Sequence, residues 1–393
     1  MSTFNRMAML PFEGLIPVLD WLSYLVINKI YQSPILLSLY KIYKLILRLA
    51  TNSTEISRLC SSAVARVVYD QHWETDVDSQ DSDEVVNERV PLRHIRTVQV
   101  NKGLNQLINN VQNGVTADIL YRIDRSILYS KQLAIERREL ELSTFSLDQV
   151  SQAILSKKQF PSGGAKDTPE AKVLQFCLQR IAETHRLVAE INTRTHTKYD
   201  SDNKAHEAKL MELWRTLMVD TPLEGRITRQ WGQIGFQGSD PATDFRGMGM
   251  QGLDDLLYYA KTHPESARRT LQCSLHPVSW YPFAIVGINI TQYAVQILLT
   301  RKLQYYLFQY GSTREMYNEF YCYLFYSFNE FWMSHEQPRL TVMEFESKFK
   351  EFKVLVEQDL LIRKITTLKA FLGKTNTTLV EDIPSSVEEK KQL

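Results

Sequence analysis

The sequence predicts an all-α fold, and three observations predict it. Apolar residues recur at helical spacing in one segment after another. No segment shows the period-two alternation of a half-buried strand. Breaker residues gather in a few loops, such as Phe160-Pro-Ser-Gly-Gly-Ala and the glycine-rich stretch Leu223–Leu256, rather than punctuating short strands. No internal repeat is present.

The chain of 393 residues is long enough for one large domain with appendages or for two ordinary ones. Hydrophobic residues make up 44% and charged residues 23%, the balance of a globular protein. A formal net charge of +1 offers no global field for nucleic acid or for a strongly acidic partner, so electrostatic recognition must be local. Cys60, Cys177, Cys273 and Cys322 are far apart, without a CxxC pair or a histidine at metal spacing, which fits buried thiols in a reducing compartment. Sequons at Asn52, Asn289 and Asn376 then read as chance matches.

Residues 1–50 are apolar and basic, with five Lys/Arg against two acids, and lack the clean apolar run and cleavage site of a signal peptide. Within them Pro34–Ala50 reads as a helix with Lys41, Lys44 and Arg48 on one narrow stripe and apolar residues over the rest. That pattern suits a helix lying in a membrane interface, with the three basic residues as contacts, or one docked on the protein's own core. Residues 51–97 read as a linker, partly disordered, since Asp76, Asp78, Asp81, Asp83 and Glu84 crowd like charges into Asp70–Glu88. Helical spacing returns over 98–198, where Tyr121–Glu141 alternates arginines and acids like a solvated face. Val173, Leu174, Phe176 and Cys177 mark a helix from Ala171, and Leu210, Leu213, Trp214 and Leu217 another from His206.

Pro277–Thr300 carries no formal charge and imitates a membrane span, but Gly287, Asn289, Gln292 and Gln296 suit a buried helix of a water-facing domain better. Phe320, Leu324, Phe328 and Phe331 form a core stripe within Met316–Trp332. Thr341-Val-Met-Glu344 is a capping box opening a last helix that buries Phe345, Phe349, Phe352 and Val356. The tail, 373–393, is polar and reads as disordered.

Six of the fifteen glycines lie between Gly232 and Gly252, a density that implies tight turns or close backbone approach. Pro241 holds Asp240 extended, and Thr243 or Asp244 is placed to cap the helix entering Leu253. Gly247-Met-Gly-Met-Gln-Gly252 satisfies GxGxxG, yet no β-branched strand precedes it, and no GxxxxGK[ST] exists in the chain. A dinucleotide-dependent or nucleotide-hydrolysing enzyme is therefore disfavoured. What the loop does present is a single arginine, Arg246. By residue type alone it is either an outward-facing guanidinium or an internal clamp on Asp244 or Asp240.

The residues Trp231, Gly235-Phe236-Gln237, Pro241, Thr243-Asp244-Phe245-Arg246-Gly247, Gly249, Leu253 and Leu256 resemble the signature of the ELMO domain-containing proteins. Tyr199-Asp-Ser-Asp, His206-Glu, Ala284–Asn289 and Phe320–Leu324 extend the likeness. The resemblance implies one large helical ELMO domain over 199–372, preceded by the apolar, basic N-terminal helices and the acidic linker. It also implies activation of GTP hydrolysis by Arf and Arf-like small GTPases, with Arg246 required. GTP and magnesium would be held by the partner GTPase and no cofactor by this chain. The expected setting is cytoplasmic and peripheral on an intracellular membrane. A scaffold of the same family that engages a GTPase or exchange factor without catalysis is the alternative.

Overall fold

The computed structural model describes residues 26, 28–78, 111–142, 144–160 and 165–373. It is all-α: among the described residues there is no strand, only an isolated bridge between Glu336 and Arg339. The chain divides into two compact units, Met1–Arg186 and Leu187–Leu393. Sequence placed a boundary at Tyr199. The division instead falls inside one long helix.

The first unit contains α1 (Pro34–Thr51), α2 (Glu55–Asp78), α3 (Ala117–Leu128), α4 (Ala134–Leu140), α5 (Leu147–Lys157) and the first part of α6 (Pro169–His196). Pro34 at the first helical position and Ser33, whose hydroxyl accepts from Leu36 N, start α1 where the sequence predicts it. The linker reading does not hold over α2. Ile56, Leu59, Cys60, Ala63 and Val67 recur at helical spacing there and are buried. The acidic run that suggested a linker is confined to the end of this helix and to residues beyond it, and 79–97 lie outside the described residues.

The solvated reading of Tyr121–Glu141 is also corrected. Asp124 and Glu136 are buried, Glu136 taking Lys157 Nζ at 2.6 Å, while the Arg125 guanidinium lies 4.7 Å from the Tyr121 ring centre. Part of the charged stretch is therefore turned into the unit, while Arg138 and Glu141 remain exposed.

The second unit is built on α7 (Lys204–Leu217), α8 (Gly249–Thr262), α9 (Pro264–Ser274), α10 (Phe283–Leu299), α11 (Gln304–Tyr310), α12 (Arg314–Met333) and α13 (Phe345–Leu361). Asn203 caps α7 by accepting from Ala205 N at 2.9 Å, and Thr313 caps α12. The capping box is formed, Thr341 N donating to the Glu344 carboxylate at 2.9 Å; Phe349, Phe352 and Val356 are buried as expected, and Phe345 only partly. Helix α8 lies at the centre, packed on α7, α9, α10 and α12. Helix α10 buries Phe283, Val286, Ile290, Ala294 and Ile297 and leaves Gln292 and Gln296 exposed. No single helix among the described residues is long and apolar enough to cross a membrane. Cys60, Cys177 and Cys322 are buried free thiols, and Cys273 is partly covered. Of the sequence readings, the tail from residue 374 and the sequon at Asn376 lie outside the described residues.

Candidate functional site

The glycine-rich segment folds as two short 3₁₀ turns, Arg229–Ile234 and Pro241–Arg246, feeding directly into α8. Its underside is an aromatic chain. Trp214 on α7 meets Trp231 with ring centres 5.4 Å apart, Trp231 meets Phe236 at 5.7 Å, and Phe236 meets Phe245 at 5.6 Å. Phe245 stacks on Tyr199 at 5.9 Å, and His206 closes the row. Edge-to-face packing of this kind adds to the apolar area buried and fixes direction as well as position. Trp231, Phe245, Leu253 and Leu256 are almost wholly buried, and Pro241 is buried with them.

Polar bonds set the outline of the loop. Arg226 grips Asp240 with two guanidinium nitrogens, at 2.8 and 3.4 Å, and its carbonyl accepts from Trp231 Nε1 at 2.8 Å. Asp240, extended as Pro241 requires, also caps the second turn by accepting from Ala242 N at 3.0 Å. Asp244 accepts from Gln237 N at 2.8 Å. Desolvation pushes the Asp244 carboxyl above the ordinary range, against the lowering effect of that bond and of Arg246 nearby. Gln237 thus enters through its backbone, with its side chain exposed.

Two glycines are demanded by the backbone. Gly235 has φ +81°, and a Cβ there would lie 2.2 Å from Phe283 N. Gly249 has φ +53°, and a Cβ would meet the Thr195 and Thr197 carbonyl oxygens at 2.5 Å. That close approach lets Met250 N donate to Thr197 O at 2.8 Å, supplying one partner for the first turn of α8. Neither Thr243 nor Asp244 caps α8, as sequence suggested: Met248 occupies the cap without a side-chain bond, because the 3₁₀ turn intervenes. Gly247, by contrast, has nothing within 4 Å of its would-be Cβ and no positive φ.

Arg246 ends the second turn and is exposed. Its Nε donates to Thr243 O at 2.9 Å. Among the described residues no carboxylate pairs with it, so both terminal nitrogens are left without a protein partner. The internal clamp considered from sequence exists, but Arg226 forms it. Sequence reading missed Arg226, although an arginine fourteen residues ahead of the loop's one Asp-Pro step was available to weigh. The arrangement presents a planar, permanently charged fork on a rigid support, suited to bridging two oxygens of an anion.

Lys41, Lys44 and Arg48 belong to the other unit. Lys44 pairs with buried Glu55, Arg48 Nη2 donates to Gln159 Oε1 at 2.7 Å, and only Lys41 stays exposed. A separate cavity of about 650 Å³ in the second unit is lined by Arg194, Lys209, Asp254, Lys261 and Arg314 among others, and by no residue of the loop before α8. Asp254 there binds Arg194, Lys209 and Arg314, so its cations are already engaged.

Comparison with known proteins covers this same segment. The model of the ELMO/CED-12 family matches residues 189–349. ELMO domain-containing protein 2 of Bos taurus is 35% identical over 241 residues, covering 60% of this chain and 81% of that protein. ELMO domain-containing protein B of Dictyostelium discoideum is 38% identical over 243 residues, covering 62% and 84%. ELMO domain-containing protein 1 of Bos taurus is 38% identical over 200 residues, covering 46% and 61%. With most of such a relative's length matched and the signature loop folded as one anchored unit, this chain belongs to the ELMO/CED-12 family.

Proposed function

We propose that the protein accelerates GTP hydrolysis by an Arf-family small GTPase, Arf-like proteins included, by lending Arg246 in trans. The observation that carries this reading is the state of Arg246: held at Nε by its own turn, unpaired at both terminal nitrogens among the described residues, and exposed on a loop whose underside is buried.

The partner would hold GTP, magnesium and the attacking water in its own site. What is wanting there is positive charge against the three equatorial oxygens of the transferring phosphoryl group. A guanidinium delivered from outside supplies it, and its planar fork reaches two oxygens at once. Such a finger is worth about 10³–10⁵ in rate, or ~4–7 kcal/mol of barrier. The Thr243 carbonyl orients the guanidinium before docking, and the open space beside Gly247 gives a partner's backbone room to approach. This chain would act in the cytoplasm at a membrane surface, where it meets the lipid-bound partner.

Single-turnover hydrolysis across a panel of Arf and Arf-like proteins, with wild type and Arg246→Lys, tests the reading. Acceleration by wild type and its loss in the variant are expected, since lysine keeps the charge and loses the fork. Equal acceleration by the two removes the finger role. Binding to GTPase without any acceleration selects the non-catalytic scaffold instead.

A further inference from the structure

Helix α1 turns its polar side toward the protein and its apolar side outward. Inward, Lys44 pairs with Glu55 and lies 4.5 Å from the Tyr40 ring centre. Tyr40 donates to Glu55 Oε1 at 2.5 Å, and Arg48 reaches Gln159. Burial works against the Glu55 charge, but Lys44, Tyr40 and Ser126 outweigh it and hold the carboxyl below the ordinary range. Outward stand Ile35, Leu39, Ile42, Leu45, Ile46 and Leu49, all more than half exposed and reaching 77% at Leu49. At helical spacing these six share an arc of roughly 120°. The helix is 18 residues long and contains no acid.

We propose that this face of α1 seats on a lipid surface, with the helix axis in the membrane plane. Three features select lipid over a protein partner. The one polar side chain inside the arc, Ser38, returns its hydroxyl to the Pro34 carbonyl at 2.8 Å and asks nothing of its surroundings. The face therefore offers no hydrogen-bonding group by which a protein interface core would be specified. Exposed Lys41 borders the arc and no carboxylate of α1 opposes it, the charge arrangement that anionic headgroups complement. A helix of this length lies about 27 Å along the surface and sinks its apolar side ~5–10 Å, to the acyl boundary. The contact is the wide apolar face read from sequence; of its basic edge, Lys44 and Arg48 are spent on the protein. This inference does not depend on the GTPase reading.

Flotation of the full chain on vesicles tests it, using phosphatidylcholine alone and phosphatidylcholine mixed with phosphatidylserine. Wild type floats with both, better with the mixture, and its binding to phosphatidylcholine survives high salt. Ile42→Asp/Ile46→Asp lowers the bound fraction at least about tenfold while far-UV circular dichroism and melting stay unchanged, because both sites are surface positions. Ile42→Ser/Ile46→Ser gives a smaller loss in the same direction and serves if the aspartates disturb folding. Lys41→Glu weakens binding only to the anionic vesicles. Failure of wild type to float, or equal flotation of the variants, overturns the proposal. So does a dimer of wild type in solution that the double variant converts to monomer, which would assign the face to a second copy.

Discussion

The two sides of the glycine-rich loop differ in what the fold asks of them. On the underside, Trp231, Phe236 and Phe245 are buried in an aromatic row, Arg226 is bonded to Asp240, and Gly249 is pressed against two carbonyl oxygens. On the outer side, Arg246 has no carboxylate partner among the described residues, Gln237 is exposed, and Gly247 borders open space. Both sides carry residues of the same signature. The first set is explained by packing inside this chain, and the second is not. The fold thus leaves the Gln237 side chain, Arg246 and Gly247 of the signature without an internal role, and these are the residues the proposed partner would use.

Substitutions can break that division, beginning on the underside. Trp231→Ala removes a fully buried indole and its bond to the Arg226 carbonyl, and should lower unfolding free energy by about 3–5 kcal/mol in denaturant titration. A loss below about 1 kcal/mol would mean that the loop does not rest on this row. Gly249→Ala comes next. A left-handed backbone costs an L-residue roughly 1–2 kcal/mol, and the carbonyls of Thr195 and Thr197 must also give way, so about 2–3 kcal/mol is expected. Asp240→Ala removes both the Arg226 pair and the cap on Ala242. For a partly exposed pair this amounts to about 1–2 kcal/mol, with a rise in proteolysis confined to the loop.

The helix that the loop feeds adds a pH dependence to the underside. Asp255 is fully buried on α8, and burial pushes its carboxyl up to about 7, with Gln251 Nε2 donating at 2.7 Å and Tyr317 nearby at 3.5 Å. Its folded value is raised above the unfolded one, so the protonated form favours folding. That stability is fully present below about pH 4 and is lost as pH rises through about 7. Comparing wild type with Asp255→Asn isolates it. The variant's stability, relative to wild type, should improve as pH rises from about 4 to 7. A flat difference over that interval would show that Asp255 does not keep its proton.

Much of this was readable from residue order. The helix starts at Pro34 and Thr341 follow from local chemistry, a proline at the first turn and a capping box, and local chemistry is what a sequence states directly. The core status of Pro277–Thr300 was readable because its amides fall on one face of α10. What the sequence hid are pairings across the chain. Asp240 has three arginines within fourteen residues, Arg226, Arg229 and Arg246, and only the folded loop assigns it to Arg226. Likewise Lys44 and Arg48 look like an outward basic stripe until Glu55 and Gln159 are brought beneath them. The glycines of the loop are indistinguishable in sequence. Gly249 and Gly247 separate only when the neighbours of each missing Cβ are known.

Gly247→Ala therefore gives the smallest expected change in stability and the sharpest test of the comparison. Its backbone is right-handed, φ −81°, and a methyl there meets nothing within 4 Å. Replacing glycine at such a site tends to stabilise by about 0.4–1 kcal/mol, by restricting the unfolded chain. Thermal unfolding should thus show no loss, in contrast to Gly249→Ala two residues on. If Arg246 works in trans, the same methyl stands between this loop and the approaching GTPase, and acceleration of hydrolysis should fall while melting does not. Unaltered acceleration would place the partner's backbone elsewhere and leave Arg246 to reach it alone. A loss of stability comparable to that of Gly249→Ala would show that the outer side is not open, and the distinction between the two sides would fail with it.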